Sequence, residues 1–356
     1  MTEHDPPLVP AENATPARTV SVIAPCRNER AHIADFCRAL TAQHLPDGVR
    51  LEVLIADGRS DDGSREWLAD WCGRDGRFRL VDNPGRIVST GLNRCLAQAA
   101  GEVIVRMDIH TRYASDYIAQ CLAALQRSGA DNVGGPWVAQ AATSDGWPAA
   151  IAAAFQSRWV AGGARSRDRT YEGEVDTVYL GCWPRASFER FGGFDEQLVR
   201  NQDDEHNLRI RAAGGRVWQS GRIRSVYQSR STPGQLARQW RQYGYWKPFV
   251  MRKHGQAASW RHLAPGVFVG LQGLLLLAAM LSDAALAAFL VLAGVYLAAV
   301  GATAVLVARE AGWALLPRLP VVIGLYHLAY GAGSLQGWAD VLRGRAPDPA
   351  FGTLTR

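Results

Sequence analysis

Short apolar runs and amphipathic stretches alternate along the first part of the chain. Val20–Ala24, Leu51–Ala56 and Phe78–Val81 have the length and composition of strands. Between them Ala31–Gln43, Ser64–Trp71 and Val88–Ala100 place apolar residues at helical spacing, the last closed by Gly101. The stretch Glu102–His110 then reads as a buried strand ending on an acid and an imidazole, Asp108 and His110, and a helix follows over Ser115–Gln126. This repetition predicts an α/β fold: a mostly parallel sheet covered by helices on both faces. Beyond Asn132 the regularity fades. Gly134-Gly135-Pro136-Trp137 and Gly162-Gly163-Ala164-Arg165 read as turn or loop chemistry. A helix over Ala149–Trp159, a strand around Val175–Tyr179, a helix opening near Asp203 and a strand around Val217 would complete a mixed sheet.

The last third has a different pattern. Thr232–Arg252 carries Leu236, Trp240, Tyr243, Trp246 and Val250 at helical spacing, with Pro248 expected to kink it. The stripe suits either a core-facing helix or one lying on a membrane surface. Leu263–Leu281 and Ala284–Ala308 approach or exceed the length that crosses a hydrocarbon core of about 30 Å, and both are expected to be transmembrane helices. Leu319–Trp338 is a third apolar segment, interrupted by His327 and several glycines. Arg252, Lys253 and Arg261 precede the first span and Arg309 follows the second, which places the N-terminal domain in the cytoplasm.

Charge and cysteine usage narrow the class. The net charge of +6 comes without a dense Lys/Arg block, so lipid head groups or phosphorylated substrates are nearer partners than nucleic acid. The six cysteines form no Cys-x-x-Cys pair and no zinc spacing, which points to a reducing compartment. Residues 1–18 are polar and proline-bearing, with no signal-peptide pattern, and are expected to be a disordered tail with an inert sequon at Asn13.

Three acidic positions follow three strands. Asp57 follows a strand, where a carboxylate can accept the imino N–H of a uracil or thymine ring; the alternative is a polar turn that caps the next helix through Asp62 or Ser64. Asp108 and His110 offer an oxygen and a nitrogen to Mn²⁺, or hold Mg²⁺ through the carboxylate and a substrate phosphate; Asp-x-His by itself also fits an ordinary turn. In Asn201-Gln202-Asp203-Asp204-Glu205, consecutive acids at a helix start are dipole partners or include a general base.

Val20–Pro25, Asp57, the Asp-x-His after the fourth strand, Gly192-Gly193-Phe194-Asp195-Glu196 and the following acidic run together resemble a family 2 inverting glycosyltransferase with the GT-A fold. Within that family the chain is similar to bacterial membrane-bound enzymes of the succinoglycan glucosyltransferase type, over about Thr19–Lys253. The resemblance implies that Pro25, Arg27 and Glu29, with Asp57, hold the uridine of a UDP-sugar. It implies further that Asp108 and His110 bind Mg²⁺ or Mn²⁺ on the diphosphate, that Arg86 adds a forked donor to it, and that Asp203 is the base. Two departures accompany it: His110 replaces the final Asp of the metal motif, and Gln202 replaces the Glu before Asp203, which keeps Asp204 beside it as a second candidate. Gln235-Leu236-Ala237-Arg238-Gln239-Trp240 has one residue more than the signature of processive synthases, which favours single-sugar addition.

The expected organisation is therefore a tail (1–18), a transferase domain (19–231), an amphipathic interfacial segment (232–262), a membrane region of two to three helices (263–338) and a second tail (339–356). The expected activity moves one sugar, with glucose first in line, from a UDP-sugar to a polyprenyl-diphosphate-linked saccharide in exopolysaccharide assembly, beside membrane lipid. A processive synthase or a polyprenyl-phosphate sugar transferase is the alternative among enzymes. From another class, the alternative is an inactive membrane-anchored nucleotide-binding scaffold.

Overall fold

The computed structural model describes residues 19–160, 162–255 and 259–352. The tail at 1–18, with Asn13, lies outside the described residues. The chain forms two compact units, the first from Met1–Val138, Asp168–Gln197 and Gln202–Tyr227, the second from Ala139–Arg167, Leu198–Asn201 and Gln228–Arg356.

In the first unit β1 (Thr19–Cys26), α1 (Arg30–Thr41), β2 (Arg50–Asp57), α2 (Ser64–Arg74), β3 (Phe78–Asp82), α3 (Val88–Gln98) and β4 (Val103–Arg106) follow one another as the periodicity predicts. Next come β5 (Thr111–Tyr113), α4 (Tyr117–Ser128) and β6 (Asn132–Gly135). The second unit contributes β7 (Ala139–Gln140) and α5 (Gly146–Gln156), after which the first resumes with β8 (Gly173–Glu174), β9 (Tyr179–Pro184), α6 (Arg185–Phe191), α7 (Gln202–Ala212), β10 (Val217–Gln219) and β11 (Ser225–Gln228). The main sheet runs β3-β2-β1-β4-β9-β6-β10-β8. Its β3-β2-β1-β4 half is parallel, whereas β9 is antiparallel to both β4 and β6, so the sheet is mixed.

Side chains alternate across this sheet. Val20, Val22 and Ala24 enter one core with Ile33, Phe36, Val53, Val105 and Met107, while Ile23 enters the other with Leu54, Ala56, Leu92 and Ile104. Full burial of each such Val, Leu or Ile stabilises the fold by about 1.5–3 kcal/mol. Both faces being covered explains why these strands read as continuous apolar runs. The register sets Cys26 beside Asp57, Asp57 beside Asp82 and Ile23 beside Arg106. The carboxyl ends of four strands thus share one edge, and β1, flanked by β2 and β4, marks the switch point where open α/β sheets bind ligands.

Several expectations are corrected. The strand within Glu102–His110 ends at Arg106, so Asp108 and His110 lie on the turn that follows, closed by Thr111 N–H to the Asp108 carbonyl. Gly134 and Gly135 form a strand rather than a turn: a Cβ on Gly135 would stand 2.0 Å from the Ile223 carbonyl oxygen, so the glycine answers a close approach. The strand expected over Val175–Tyr179 is instead the short β8 and the longer β9, and α6 was not anticipated.

In the second unit α8 (Pro233–His254) runs without interruption through Pro248. It is followed by α9 (Ala264–Ala278), α10 (Asp283–Ala311) and α11 (Leu319–Leu342). The segment Ala139–Arg167, expected with the transferase domain, belongs here because α5 is apolar nearly all round and needs cover on several sides; Phe155 meets Tyr326 of α11 edge to face. The aromatic stripe of α8 is largely covered by α11, with the ring centres of Trp240 and Tyr326 3.9 Å apart and Tyr245 Oη donating to Asp340 at 2.8 Å. Glycines allow the backbones to meet: a Cβ on Gly333 would stand 2.0 Å from the Arg241 carbonyl oxygen. Gly333→Val is therefore expected to destabilise this unit by about 1–3 kcal/mol or more. Thermal unfolding in detergent reads the loss, and an unchanged midpoint would contradict the close packing.

Candidate active site

The loops after β1, β2 and β3 converge on Gly58. Its amide donates to the Cys26 carbonyl at 2.7 Å, and a Cβ there would stand 3.3 Å from the Arg86 backbone and 3.4 Å from Arg27. Arg27 Nη1 reaches the Arg86 carbonyl at 3.5 Å. Three of the sequence-predicted residues, Arg27, Asp57 and Arg86, are thus brought to one corner, with Pro25 paired to Ala56 beneath it. Asn28, Arg59 and Arg86 all have left-handed backbones here, and Asn201 repeats this before α7. Such conformations on non-glycine residues concentrate at functional sites.

Asp57 is fully buried. Its Oδ2 accepts from Arg65 Nη1 at 2.9 Å, and both oxygens lie 3.3 Å from the Ser60 amide. Arg65 also reaches Asp82 at 3.1 Å. The turn reading of this loop holds as well: Asp62 accepts from the amides of Ser64 and Arg30, serving the starts of α2 and α1 together.

The turn after β4 forms a second cluster. Arg106 forks onto Asp108, Nε to Oδ1 at 2.9 Å and Nη2 to Oδ2 at 3.0 Å. His110 Nδ1 lies 3.0 Å from Glu29 Oε1. The buried Glu29, expected at the nucleotide, also lies against His110 from the start of α1. In the tautomer that donates from Nδ1 to the Glu29 carboxylate, His110 presents Nε2 as an acceptor.

Asp203, in the first turn of α7, has 34% of its side chain open and its Oδ2 4.0 Å from Arg106 Nη1. Its Oδ1 accepts from the Asp204 amide at 2.9 Å. Burial, then repulsion from Asp204, raise its pKa, and Arg106 draws it back. Burial opposes the charge of Arg106, but Asp108 and then Asp203 outweigh it, so that guanidinium is held firmly protonated. Asp203 thus approaches the guanidinium that forks onto Asp108.

The glycosyl transferase family 2 model matches residues 21–191. A succinoglycan biosynthesis protein, ExoA of Rhizobium meliloti, is 30% identical over 246 residues, 68% of this chain and 73% of that protein. The chain belongs to glycosyl transferase family 2. The transferase is also 26% identical over 191 residues to the beta-monoglucosyldiacylglycerol synthase of Trichormus variabilis, over 51% of its own length and 36% of that protein. Among solved structures it matches the mannosyltransferase PcManGT of Pyrobaculum calidifontis, in complex with GDP-Man and Mn²⁺, with a TM-score of 0.55, 20% identity and 88% of each chain covered. That likeness establishes the GT-A-like fold. As a family member the transferase moves a sugar from a nucleotide-sugar donor.

Three features of the transferase's site were missed from sequence. Arg106 was one, and the signal was a charge inside an otherwise apolar strand. Arg65 was another, the second residue of α2, which reaches both Asp57 and Asp82. The third is the anchoring of α7 on the Gly192–Glu196 loop: Arg209 donates to the Phe191 and Gly193 carbonyls at 2.6 and 2.7 Å, and His206 Nε2 lies 3.1 Å from that of Gly192. Burial, then Arg209, lower the His206 pKa to about 4. Neutral and packed against Phe188, Phe194 and Trp183, it seats the helix that carries Asp203 one turn earlier.

Proposed function

We propose that this transferase is a membrane-bound inverting enzyme that moves one sugar, glucose, from a UDP-sugar to a saccharide carried on a polyprenyl diphosphate during exopolysaccharide assembly. The observation that carries the reading is the buried Arg106 guanidinium, forked onto Asp108 and 4.0 Å from Asp203. It gives the proposed diphosphate carboxylate and the proposed base a common centre. The exopolysaccharide context is supported by the relative named for succinoglycan biosynthesis.

Among the described residues no group of three or more His, Cys, Asp or Glu could hold a metal by protein atoms alone. The pair Asp108 and His110 nevertheless suits a Mg²⁺ or Mn²⁺ ion that takes its remaining ligands from a nucleotide diphosphate and water. Glu29 gives His110 the carboxylate partner that metal-binding imidazoles commonly have. When bound, the ion supplies Lewis-acid stabilisation of the charge developing on the departing diphosphate.

The chain's own residues perform the other steps. Pro25, Arg27, Asp57 and Arg86 line the corner proposed for the nucleotide, with Arg86 exposed at its rim. Asp203 takes the proton from the acceptor hydroxyl as that oxygen attacks the anomeric carbon opposite the diphosphate, so configuration inverts. Burial and the neighbouring Asp204 raise its pKa above that of an ordinary Asp, which makes its carboxylate a better proton acceptor.

The acceptor class rests on the second unit. Trp260–Ala278 and Asp283–Ala311 are long and apolar enough to cross a membrane, and Leu274, Leu277, Met280 and Leu281 are exposed. The basic residues flanking them favour a cytoplasmic catalytic unit. The test is a panel of UDP-sugars against lipid-linked and soluble saccharides, with and without a chelator, and with product masses measured. Addition of one sugar to the lipid-linked acceptor, lost on chelation, is expected. Equal transfer to soluble sugars would remove the lipid acceptor, and a ladder of products would favour a processive synthase.

A further inference from the structure

Arg106 occupies a position where the alternation of β4 calls for an apolar side chain. Ile104, two residues earlier on the same face, is fully buried in the core formed with Ile23, Leu54 and Trp183. The Arg106 side chain is 6% exposed. A guanidinium held so far from water is retained at a cost unless each of its donors finds a partner. One edge does: Nε and Nη2 meet the two oxygens of Asp108 in a fork. The other edge does not. Nη1 is buried and has no hydrogen-bond partner among the described residues, and the nearest acidic oxygen, Asp203 Oδ2, stands 4.0 Å away. An orphaned buried donor in the site calls for a reason beyond stability.

We propose that Arg106 is a positioning residue for sugar transfer, fixing the Asp108 carboxylate with one edge of its guanidinium while its Nη1 faces Asp203, so that the diphosphate end and the base end keep one spacing. The inference rests on Asp203 acting as the base. Its physical basis is rigidity: the planar fork fixes both the rotation and the charge of Asp108, which a point charge on a flexible stem does not. The remaining edge adds a positive charge beside Asp203. The charged groups facing Asp203 are Asp204 from its own helix and Arg106 from β4, acting in opposite directions.

The two edges separate in two variants of the full-length protein, Arg106→Lys and Arg106→Gln. Each is measured for kcat and KM with a UDP-sugar, for the pH dependence of kcat, for UDP affinity and for thermal unfolding. Arg106→Lys keeps the charge and loses the fork; kcat is expected to fall by about 10²-fold, the scale of a mispositioned reacting group, with KM for the donor within about threefold and the acid limb of the pH profile in place. Arg106→Gln loses both, so kcat falls and the acid limb also moves to higher pH, because removing a cation raises the pKa of the base. If both variants keep kcat within about threefold of wild type, or if activity falls only in proportion to the folded fraction with kcat, KM and pH profile per folded molecule unchanged, the proposal is overturned. Asp203→Asn serves as the control on the underlying reading: full activity there removes Asp203 as the base whatever the Arg106 variants do.

Discussion

Asp203→Asn is expected to lower turnover by about 10²–10⁴-fold, the range associated with a positioned general base, while UDP-sugar affinity stays near wild type. The amide keeps the size of the side chain and its place in the first turn of α7, but it takes no proton from an acceptor hydroxyl. Burial and the neighbouring Asp204 raise the Asp203 pKa above the ordinary value of 3.8. A base works only when deprotonated, so activity of the wild type should be full above that raised pKa and be lost as pH falls through it. The acid limb of kcat therefore belongs at higher pH than an unperturbed aspartate would give. Rate measurements across the acid range, paired with UDP binding at each pH, separate loss of the base from loss of the donor. Wild-type turnover by Asp203→Asn would sink the assignment, and a matching result with Asp204→Asn would transfer the role to its neighbour.

The second large effect is on stability as well as rate. Asp108→Ala removes the carboxylate that Arg106 grips with two hydrogen bonds, at side-chain exposures of 6% and 15%. The guanidinium is left buried with Asp203 4.0 Å distant as its remaining acidic neighbour. Breaking one side of a buried ion pair costs about 3–5 kcal/mol, which lowers the melting temperature by on the order of 10 °C for a unit of this size. Activity should vanish with it, since the same carboxylate is proposed to meet the diphosphate. The double variant with Arg106→Met should recover stability but not turnover, because removing both charges ends the desolvation penalty without restoring a ligand. A wild-type melting temperature for Asp108→Ala would mean that the fork contributes nothing to the fold.

Local pattern carried much of this protein. β1 to β4 and α1 to α4 were legible because β1, β2 and β4 are largely apolar runs covered on both faces, β3 is a short β-type segment at the sheet edge, and each helix repeats its apolar positions every three or four residues. Both signals are contained within a dozen neighbouring residues. The positions of Asp57 and Asp108 were legible for a related reason, since a carboxylate just after an apolar run stands at a strand end; Asp203 instead lies in the first turn of α7, which follows α6 rather than a strand. What the motifs did not contain was the partner of each group. Glu29 read as a nucleotide contact and turned out to meet His110, 81 residues away in the chain. Gly134 and Gly135 read as a turn because a glycine pair has the same composition whether it bends the chain or admits a neighbouring backbone.

By itself, then, the sequence determined the α/β class, the two covered faces of the parallel half-sheet, the apolar helices of the last third and the acidic positions on which the chemistry is proposed. Tertiary structure decided which charges meet: Arg65 with Asp57, Arg106 with Asp108 and Asp203, and Arg209 with the carbonyls of the Gly192–Glu196 loop. It also decided that Ala139–Arg167 joins the helical unit. The physical reason is that hydrophobic periodicity is set by the local helix or strand repeat. The non-local meetings, Arg65 with Asp82 and Arg106 with Asp203, follow instead from how the strands and helices are arranged, which brings together residues that no local repeat connects.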